Sequence, residues 1–196
     1  MRRAEPFYDA RLADALGFAA TAFAHVERKG SGVPYLSHLL AVTTLVMEYG
    51  GTADQCIAAV LHDYLEDIAG SSVDELAERF GADVAAIVLA LSDSTQDELD
   101  ATGGKPPWKD RKLRYLAHLR DAPPQVKLVS TADKLHNASS IVRDRETLGE
   151  AIFERFTASK PETLWYYAAV VDALGDGWNH ALLDQLRAVV RTLHRG

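Results

Sequence analysis

Apolar residues recur every three or four positions along almost the whole chain, the spacing of helices that bury one face. Leu12, Leu16, Ala19, Ala20 and Phe23 form one such stripe and predict a helix over 9–28. The segment Lys29-Gly30-Ser31-Gly32-Val33-Pro34 breaks it, and a second helix is predicted over 36–49, stopped by Gly50-Gly51. Thr52 with Gln55 reads as a capping box opening a third helix that runs to about 69. Ile57, Leu61, Leu65 and Ile68 form its apolar face, and Gly70 stops it. Ser72 with Glu75 opens a short helix ending at Gly81, and another follows over 82–92. The polar, Gly- and Pro-bearing stretch 93–107 is the longest predicted loop. Pro107 suits the first turn of a helix over 107–121, and further helices are predicted over 125–143, 147–157, 161–174 and 178–194. No segment sustains the alternation of a strand, and no internal repeat is visible. The pattern predicts an all-α fold of about nine or ten helices, one domain over residues 1–196.

Composition narrows the class without changing the fold. Hydrophobic residues make up 47% and charged residues 25%, which excludes an intrinsically disordered chain and a coiled coil. The net charge of −7 argues against a general nucleic-acid binder. The single cysteine, Cys56, rules out a disulfide within the chain and a zinc–thiolate site, and its apolar surroundings read as core. The two arginines near the N-terminus are followed by acids rather than an apolar run, so no signal peptide is expected. No stretch reaches the roughly 18 apolar residues a membrane span needs. The expectation is a cytoplasmic protein with no membrane or nucleic-acid partner.

One stretch contradicts its own surroundings. AVLHDYLEDIAG, residues 59–70, is mostly apolar yet carries His62, Asp63, Glu66 and Asp67. A charge in a dry interior must be paired, hydrogen-bonded or bound to a metal. In a continuous helix the four-residue spacing stacks His62 with Glu66 and Asp63 with Asp67. A divalent cation explains the patch: His62 and Asp63 as ligands, and the carboxylates one turn on placed beside the water that the cation activates. Two adjacent residues cannot enclose a metal, so other segments must contribute. His38 in PYLSHLL and Asp133 in STADKLHN, followed by His136 and Asn137, are the candidates. Imidazole and carboxylate without thiolate suit Mn²⁺, Fe²⁺, Co²⁺ or Zn²⁺, and the carboxylate share points toward Mn²⁺. Plainer readings compete. The acids could be a solvated face, though such faces usually mix in Lys or Arg. His136 reads as a hydrogen-bonding neighbour rather than a ligand. Arg28 and Lys29 could be favourable charges at a helix C-terminus. Trp165, Tyr166 and Tyr167 read as packing in the core or in a homodimer.

Taken together, RKGSGVPYLSH, LHDYLED and ADKLHN resemble the hydrolase domain of the RelA/SpoT alarmone enzymes, a branch of the HD-domain metal-dependent phosphohydrolases, and above all the stand-alone small alarmone hydrolases. The resemblance spans about residues 20–175. It implies an HD-domain helical bundle and a Mn²⁺-dependent hydrolase that removes the 3′-pyrophosphate of ppGpp, pppGpp or their adenosine analogues. It further implies His38, His62, Asp63 and Asp133 as metal ligands and Glu66 and Asp67 as catalytic acids. Arg28 and Lys29 would face the nucleobase and its phosphates, and Asn137 the ribose. The chain departs from the family in three places: Gly30 is an insertion in the Arg-Lys-Ser-Gly loop, Lys134 stands where an arginine is usual, and Tyr64-Leu65 replace small or β-branched residues.

The chemistry also stands on its own terms. A bound divalent ion lowers the pKa of its water toward neutrality, Glu66 could take or return a proton, and Asp67 could orient the water or Glu66. The nucleotide substrate is polyanionic and the chain is acidic, so local cations must outweigh the global sign. Arg111, Lys112 and Arg155 are the expected pyrophosphate contacts, with Lys134 also within the motif. Two rivals remain at this stage: the same metal site acting on another nucleotide (a monoester, a cyclic nucleotide or NADPH), and a catalytically idle nucleotide-binding regulator or antitoxin.

Overall fold

The computed structural model describes residues 7–94, 104 and 106–195. Its helices are α1 (Ala10–Ala22), α2 (Leu36–Glu48), α3 (Ala53–Leu61), α4 (Tyr64–Asp67), α5 (Val73–Phe80), α6 (Ala82–Leu91), α7 (Trp108–Asp121), α8 (Pro124–Leu148), α9 (Lys160–Gly175) and α10 (Ala181–Arg195), with a 3-10 helix at Gly149–Arg155. Among the described residues the fold is all α, as the periodicity predicts, and its one strand-like feature is an isolated antiparallel bridge between Glu27 and Pro34. No helix among the described residues is long and apolar enough to cross a membrane.

Every residue of α3 from Gln55 to Leu61 is buried. That burial makes α3 the axis of the bundle, with α1, α2, α6 and α8 packed around it. Leu39, Ile57, Leu61, Leu65 and Leu76 are essentially sealed from solvent, each worth about 1.5–3 kcal/mol of burial. Farther out, α10 lies along α8 and α9, and α7 lies along α9. Lys127 of α8 is buried, yet its Nζ donates to the Arg120 carbonyl at 2.9 Å and the Asp176 carbonyl at 2.6 Å, which ties the ends of α7 and α9 together. Helix starts follow local chemistry. Asp9 accepts the Arg11 N–H at 3.0 Å, and the Thr52–Gln55 box forms as expected. A second box, Ser159 with Glu162, opens α9.

The structure corrects several boundaries. The first helix stops at Ala22 rather than 28, because the chain turns at Phe23–His25 and enters a hairpin-like loop. In that loop Tyr35 N–H donates to the Val26 carbonyl and Arg28 N–H to the Val33 carbonyl, both at 2.8 Å. Gly30 and Gly32, with φ of 67° and 68°, supply the left-handed turns. Arg28 and Lys29 therefore sit on a loop, not at a helix C-terminus. The helix predicted over 52–69 is broken: α3 ends at Leu61, Asp63 adopts φ −97° and ψ 3°, and α4 starts at Tyr64. α8 runs to Leu148, five residues past its predicted end, and the segment predicted as helix 147–157 is the 3-10 helix. The last helix begins at Ala181 instead of 178. Most of the predicted loop 93–107 lies outside the described residues.

Candidate metal centre and its cleft

Three elements deliver four donor side chains to one point. His38 lies on the first turn of α2, His62 and Asp63 form the break between α3 and α4, and Asp133 lies near the middle of α8. Asp63 Oδ2 lies 3.5 Å from His38 Nε2 and 3.0 Å from His62 Nε2. Asp133 Oδ1 lies 3.3 Å from His38 Nε2 and 3.7 Å from His62 Nε2. Donor atoms of His38, His62 and Asp133 all fall within 4.8 Å of one another, close enough to share a cation. The break at Asp63 creates this geometry. It turns the carboxylate back toward its neighbour while Leu61, Tyr64 and Leu65 stay anchored in the core. Tyr64, one of the departures from the family pattern, braces this arrangement. It packs on Phe18, and its hydroxyl donates to Glu75 Oε2 at 2.6 Å, fixing α4 to α5.

Hydrogen bonds on the far side of each ring set the tautomers. His62 Nδ1 lies 2.8 Å from the Ala59 carbonyl and must donate to it, which in the neutral ring that a metal requires leaves the lone pair on Nε2. His38 Nδ1 lies 2.7 Å from His136 Nδ1. Burial, then the charges of His38 and Arg28, hold His136 down at about 4, so it is neutral and accepts, and His38 Nε2 also points a lone pair at the carboxylates. His62 Nε2 is buried without a hydrogen-bond partner among the described residues. Two lone pairs facing two carboxylates repel unless a positive charge sits between them, and a divalent cation fits this donor set. Burial alone would raise Asp63 and Asp133 and lower His62, yet without a metal the two acids draw His62 well above its usual range. Protonated His62 beside Asp63, and Lys134 first of all beside Asp133, hold both carboxylates well below theirs, so a proton stands where a cation would bind. Tyr35 completes the cluster, its hydroxyl donating to Asp63 Oδ2 at 2.7 Å. Burial and the Asp63 charge push its phenol up, so it stays a donor.

Glu66 lies on α4 just past the donors. Burial first, then the charges of Asp93 and Asp63, push it up to about 8. Its Oε1 accepts the backbone N–H of Asp93 at 2.8 Å. Asp67 is exposed at the end of the same short helix. Since α3 and α4 are not one helix, the expected stacking of His62 with Glu66 is interrupted by the break, whereas Asp67 N–H still donates to the Asp63 carbonyl at 3.0 Å and keeps that pair one turn apart.

Each expected substrate-binding cation has an acidic, amide or hydroxyl partner. Arg111 Nη1 donates to Asp93 Oδ1 at 2.5 Å, and Lys112 pairs with Asp93 Oδ2. Burial would raise Asp93, but Lys112 and Arg111 hold it down at about 2. Lys134 Nζ donates to Asp133 Oδ2 at 2.6 Å. Asn137 Nδ2 donates to Asp133 Oδ1 at 2.5 Å, and its Oδ1 accepts from Arg28 Nη2 at 2.9 Å, so Arg28 is linked to Asp133 through one amide. Arg155 Nη1 pairs with Asp144 Oδ2 at 3.0 Å, and Lys29 Nζ donates to Thr157 Oγ1 at 3.2 Å. Arg28, Lys29, Asn137 and Arg155 line a cleft of about 300 Å³ with Tyr166 and Tyr167 in its wall. The expectation that these tyrosines serve only in packing is too narrow, since both are buried and both face the cleft. A smaller cavity of about 90 Å³ holds His62, Asp63, Glu66, Asp93 and Asp133, and Lys112 lines both spaces.

The sequence reading missed Tyr35, Asp93 and Asp144. Tyr35 sits three residues before His38, one helical turn away, a spacing that could have flagged it. Asp93 was assigned to a loop, although a lone acid directly after the apolar run of α6 was the available signal.

A family model for the HD domain matches residues 15–161, which include His38, His62, Asp63, Asp133, Glu66 and Asp67. The chain belongs to the HD-domain family. This HD domain is also similar to larger proteins. It is 31% identical over 147 residues to a guanosine-3′,5′-bis(diphosphate) 3′-pyrophosphohydrolase of Haemophilus influenzae, covering 75% of this chain and 20% of that protein. It is 34% identical over 111 residues to a probable GTP pyrophosphokinase of Mycobacterium leprae, covering 57% of this chain and 13% of that protein. The chain thus spans a fifth or less of the length of these relatives. Among solved structures it superimposes, with a TM-score of 0.75 and 23% identity over 99% of both chains, on a metazoan ortholog of SpoT that hydrolyses ppGpp and plays a role in starvation responses. The expected resemblance to HD-domain hydrolases of the RelA/SpoT type and the expected all-α fold are both borne out.

Proposed function

We propose that this HD domain is a Mn²⁺-dependent 3′-pyrophosphohydrolase of (p)ppGpp or (p)ppApp, converting the alarmone and water to GDP, GTP or the adenosine equivalents plus pyrophosphate. One observation carries the reading: an imidazole–carboxylate cluster of His38, His62 and Asp133, with Asp63 at 3.0 Å from His62, opens beside an elevated carboxyl group, Glu66, and a cation-lined cleft. The names borne by the Haemophilus and metazoan proteins support the same substrate class.

In this reading His38, His62, Asp63 and Asp133 hold the metal, which when bound supplies charge stabilisation and an acidified water. Tyr35 and His136 fix Asp63 and His38 in the orientation that ligation needs. The water oxygen bonds to the phosphorus next to the ribose 3′ oxygen, and the P–O3′ bond breaks. Glu66 takes the proton that the attacking water loses and returns a proton to the departing 3′ oxygen, and Asp67 orients the water or Glu66. Arg28 and Asn137 contact the ribose and base, and Lys29 and Arg155 the phosphates, within the larger cleft. Lys112, common to the cleft and the metal cavity, meets the scissile phosphate, as does Lys134. Arg111 acts from behind Lys112 through Asp93. The protein works in the cytoplasm, where its nucleotide substrate is made.

The test is a paired assay of purified protein with ppGpp and ppApp plus Mn²⁺, products resolved by anion-exchange chromatography. GDP or ADP together with pyrophosphate is expected. Orthophosphate from a different nucleotide, or no product from any, would remove this reading.

A further inference from the structure

Six buried side-chain polar atoms lack a hydrogen-bond partner among the described residues; one is His62 Nε2 at the metal cluster, and three others are Arg111 Nε, Thr163 Oγ1 and Tyr166 OH. Those three residues line one further cavity, about 310 Å³, between α7, α9 and the segment after the 3-10 helix. Buried donors left without acceptors cost stability, so three converging on one space signal a missing partner. All three can donate a hydrogen bond, and Lys29 and Lys112 line the same space. The acids there offset only part of this charge: Asp93 pairs with both Arg111 and Lys112, Glu66 accepts from the Asp93 amide, and the three cations Lys29, Arg111 and Lys112 outnumber the two acids. The fitting ligand is a small anion rich in acceptor oxygens.

We infer that this cavity is a product pocket for pyrophosphate, lined by Lys29, Lys112, Arg111, Thr163 and Tyr166. The inference rests on the alarmone reading and deepens it. Its position supports the assignment: Glu66, Asp93 and Lys112 line both this cavity and the one that holds the metal donors. Pyrophosphate released beside His62 and Asp63 can therefore pass over Lys112 into the pocket, while Arg28, Asn137 and Arg155 keep the nucleotide in the adjoining cleft, which shares Lys29, Lys112 and Tyr166 with the pocket but not Arg111 or Thr163. Thr163 and Tyr166 belong to α9, on neighbouring turns, and the Ser159–Glu162 box just before Thr163 rigidifies the helix start. The sequence reading gave all pyrophosphate contacts to cations; the pocket assigns part of that work to two neutral hydroxyls.

The source of such a phosphate group could also be the 5′ end of the nucleotide, and the experiment separates the two. Pyrophosphate and, independently, GDP are titrated into the full chain by calorimetry with Mn²⁺ present, for wild type, Thr163→Val, Tyr166→Phe, Thr163→Ser and Arg155→Ala. The expected result is pyrophosphate binding weakened on the order of tenfold by each of Thr163→Val and Tyr166→Phe, as for loss of a hydrogen bond to a charged group. Thr163→Ser should retain wild-type affinity, and GDP affinity should fall in Arg155→Ala and stay unchanged in Thr163→Val, whose residue lines only this pocket. Equal weakening of GDP and pyrophosphate by Thr163→Val would give the pocket to the 5′ phosphates and overturn the assignment. Unchanged pyrophosphate affinity would mean that the hydroxyls face only water, and would overturn it too. Alarmone turnover distinguishes the layers: turnover with no effect of the hydroxyl variants sinks the pocket and leaves the function, whereas the expected binding pattern without turnover sinks the function and leaves a pyrophosphate site.

Discussion

The two sides of the cleft are built on opposite principles. On one side His38, His62, Asp63 and Asp133 come from two helices and a helix break, are wholly or mostly buried, and present like-natured lone pairs to one another. On the other, Arg28, Lys112, Lys134 and Arg155 each already have a partner in Asn137, Asp93, Asp133 or Asp144. The first side is short of a positive charge, and the second has its positive charges provisionally satisfied. A polyanion bound with a cation resolves both conditions at once, because the metal satisfies the donors and the phosphates compete for the lysines and arginines. The difference teaches that the donor side should be intolerant of change and the cation side graded.

The sharpest way to break this comparison is to remove a donor. Asp63→Ala is expected to abolish Mn²⁺ binding, read by calorimetry, and to lower kcat/KM on the order of a thousandfold, the several kcal/mol a bound cation contributes. Circular dichroism should stay helical, since Asp63 lies at a break between helices and not in the apolar core. Retained metal affinity in this variant would show that the cluster is not the binding site. Chelation of wild type should give the same loss, restored by added Mn²⁺.

Glu66→Gln comes next. It should keep the metal and lose about 10²–10⁴-fold in kcat, the usual worth of general acid–base catalysis. The elevated carboxyl also makes a pH prediction. In the folded, metal-free protein Glu66 holds its proton up to about 8, against a usual value near 4.5. The native state therefore binds more protons than the unfolded one between those values, and stability is full below 4.5 and declines as pH rises toward 8. Urea titrations across that window should show the decline in wild type and its flattening in Glu66→Gln; identical slopes would place Glu66 outside the buried cluster.

Asp93 tests the cation side. It is held at about 2, against a usual value of 3.8, so its contribution is present above 3.8 and is lost as pH falls through 2. Asp93→Asn should remove roughly 2 kcal/mol of stability at neutral pH. It should also move KM more than kcat, because Arg111 and Lys112 lose their anchor while the Asp93 backbone amide still reaches Glu66. A kcat loss as large as that of Glu66→Gln would erase the distinction between the two sides.

The legibility of the two sides in the sequence differs for the same physical reason. An imidazole or carboxylate inside an apolar helix is anomalous on sight, so His62, Asp63 and Glu66 stand out from local pattern, whereas His38 and Asp133 are only candidates there and take their ligand role from the family resemblance. A lysine or arginine on a surface helix is ordinary, and its partner lies elsewhere in the chain: Asp93 is 18 residues from Arg111, and Asn137 is 109 from Arg28. Local spacing cannot show that Arg111 is anchored or that Arg155 is tied to Asp144. The helices were legible because burial is periodic. The break at His62–Asp63 was not, because Ile57, Leu61, Leu65 and Ile68 keep their helical spacing straight through it. Tertiary packing of Leu61 and Leu65 holds both segments in the core while the backbone between them turns.

The smallest expected effect concerns Gly30, a glycine of the cleft loop. Its φ of 67° lies where a side chain costs about 1–2 kcal/mol. A Cβ there would also approach Arg155 Cγ to 3.0 Å, tighter than ordinary contact. Gly30 thus lets the loop lie against the Arg155 stem while the guanidinium reaches Asp144 at 3.0 Å. Gly30→Ala should lower the melting temperature by a few degrees, about 2–8 °C for a chain of this size. It should raise KM a few-fold by displacing Arg155, with kcat and Mn²⁺ affinity unchanged, because no metal donor touches this loop glycine. If kcat fell in step with the rise in KM, the loop and the metal cluster would be mechanically coupled, and the division between a rigid donor side and a graded cation side would have to be redrawn through Arg28, Asn137 and Asp133, the hydrogen-bonded chain that joins them.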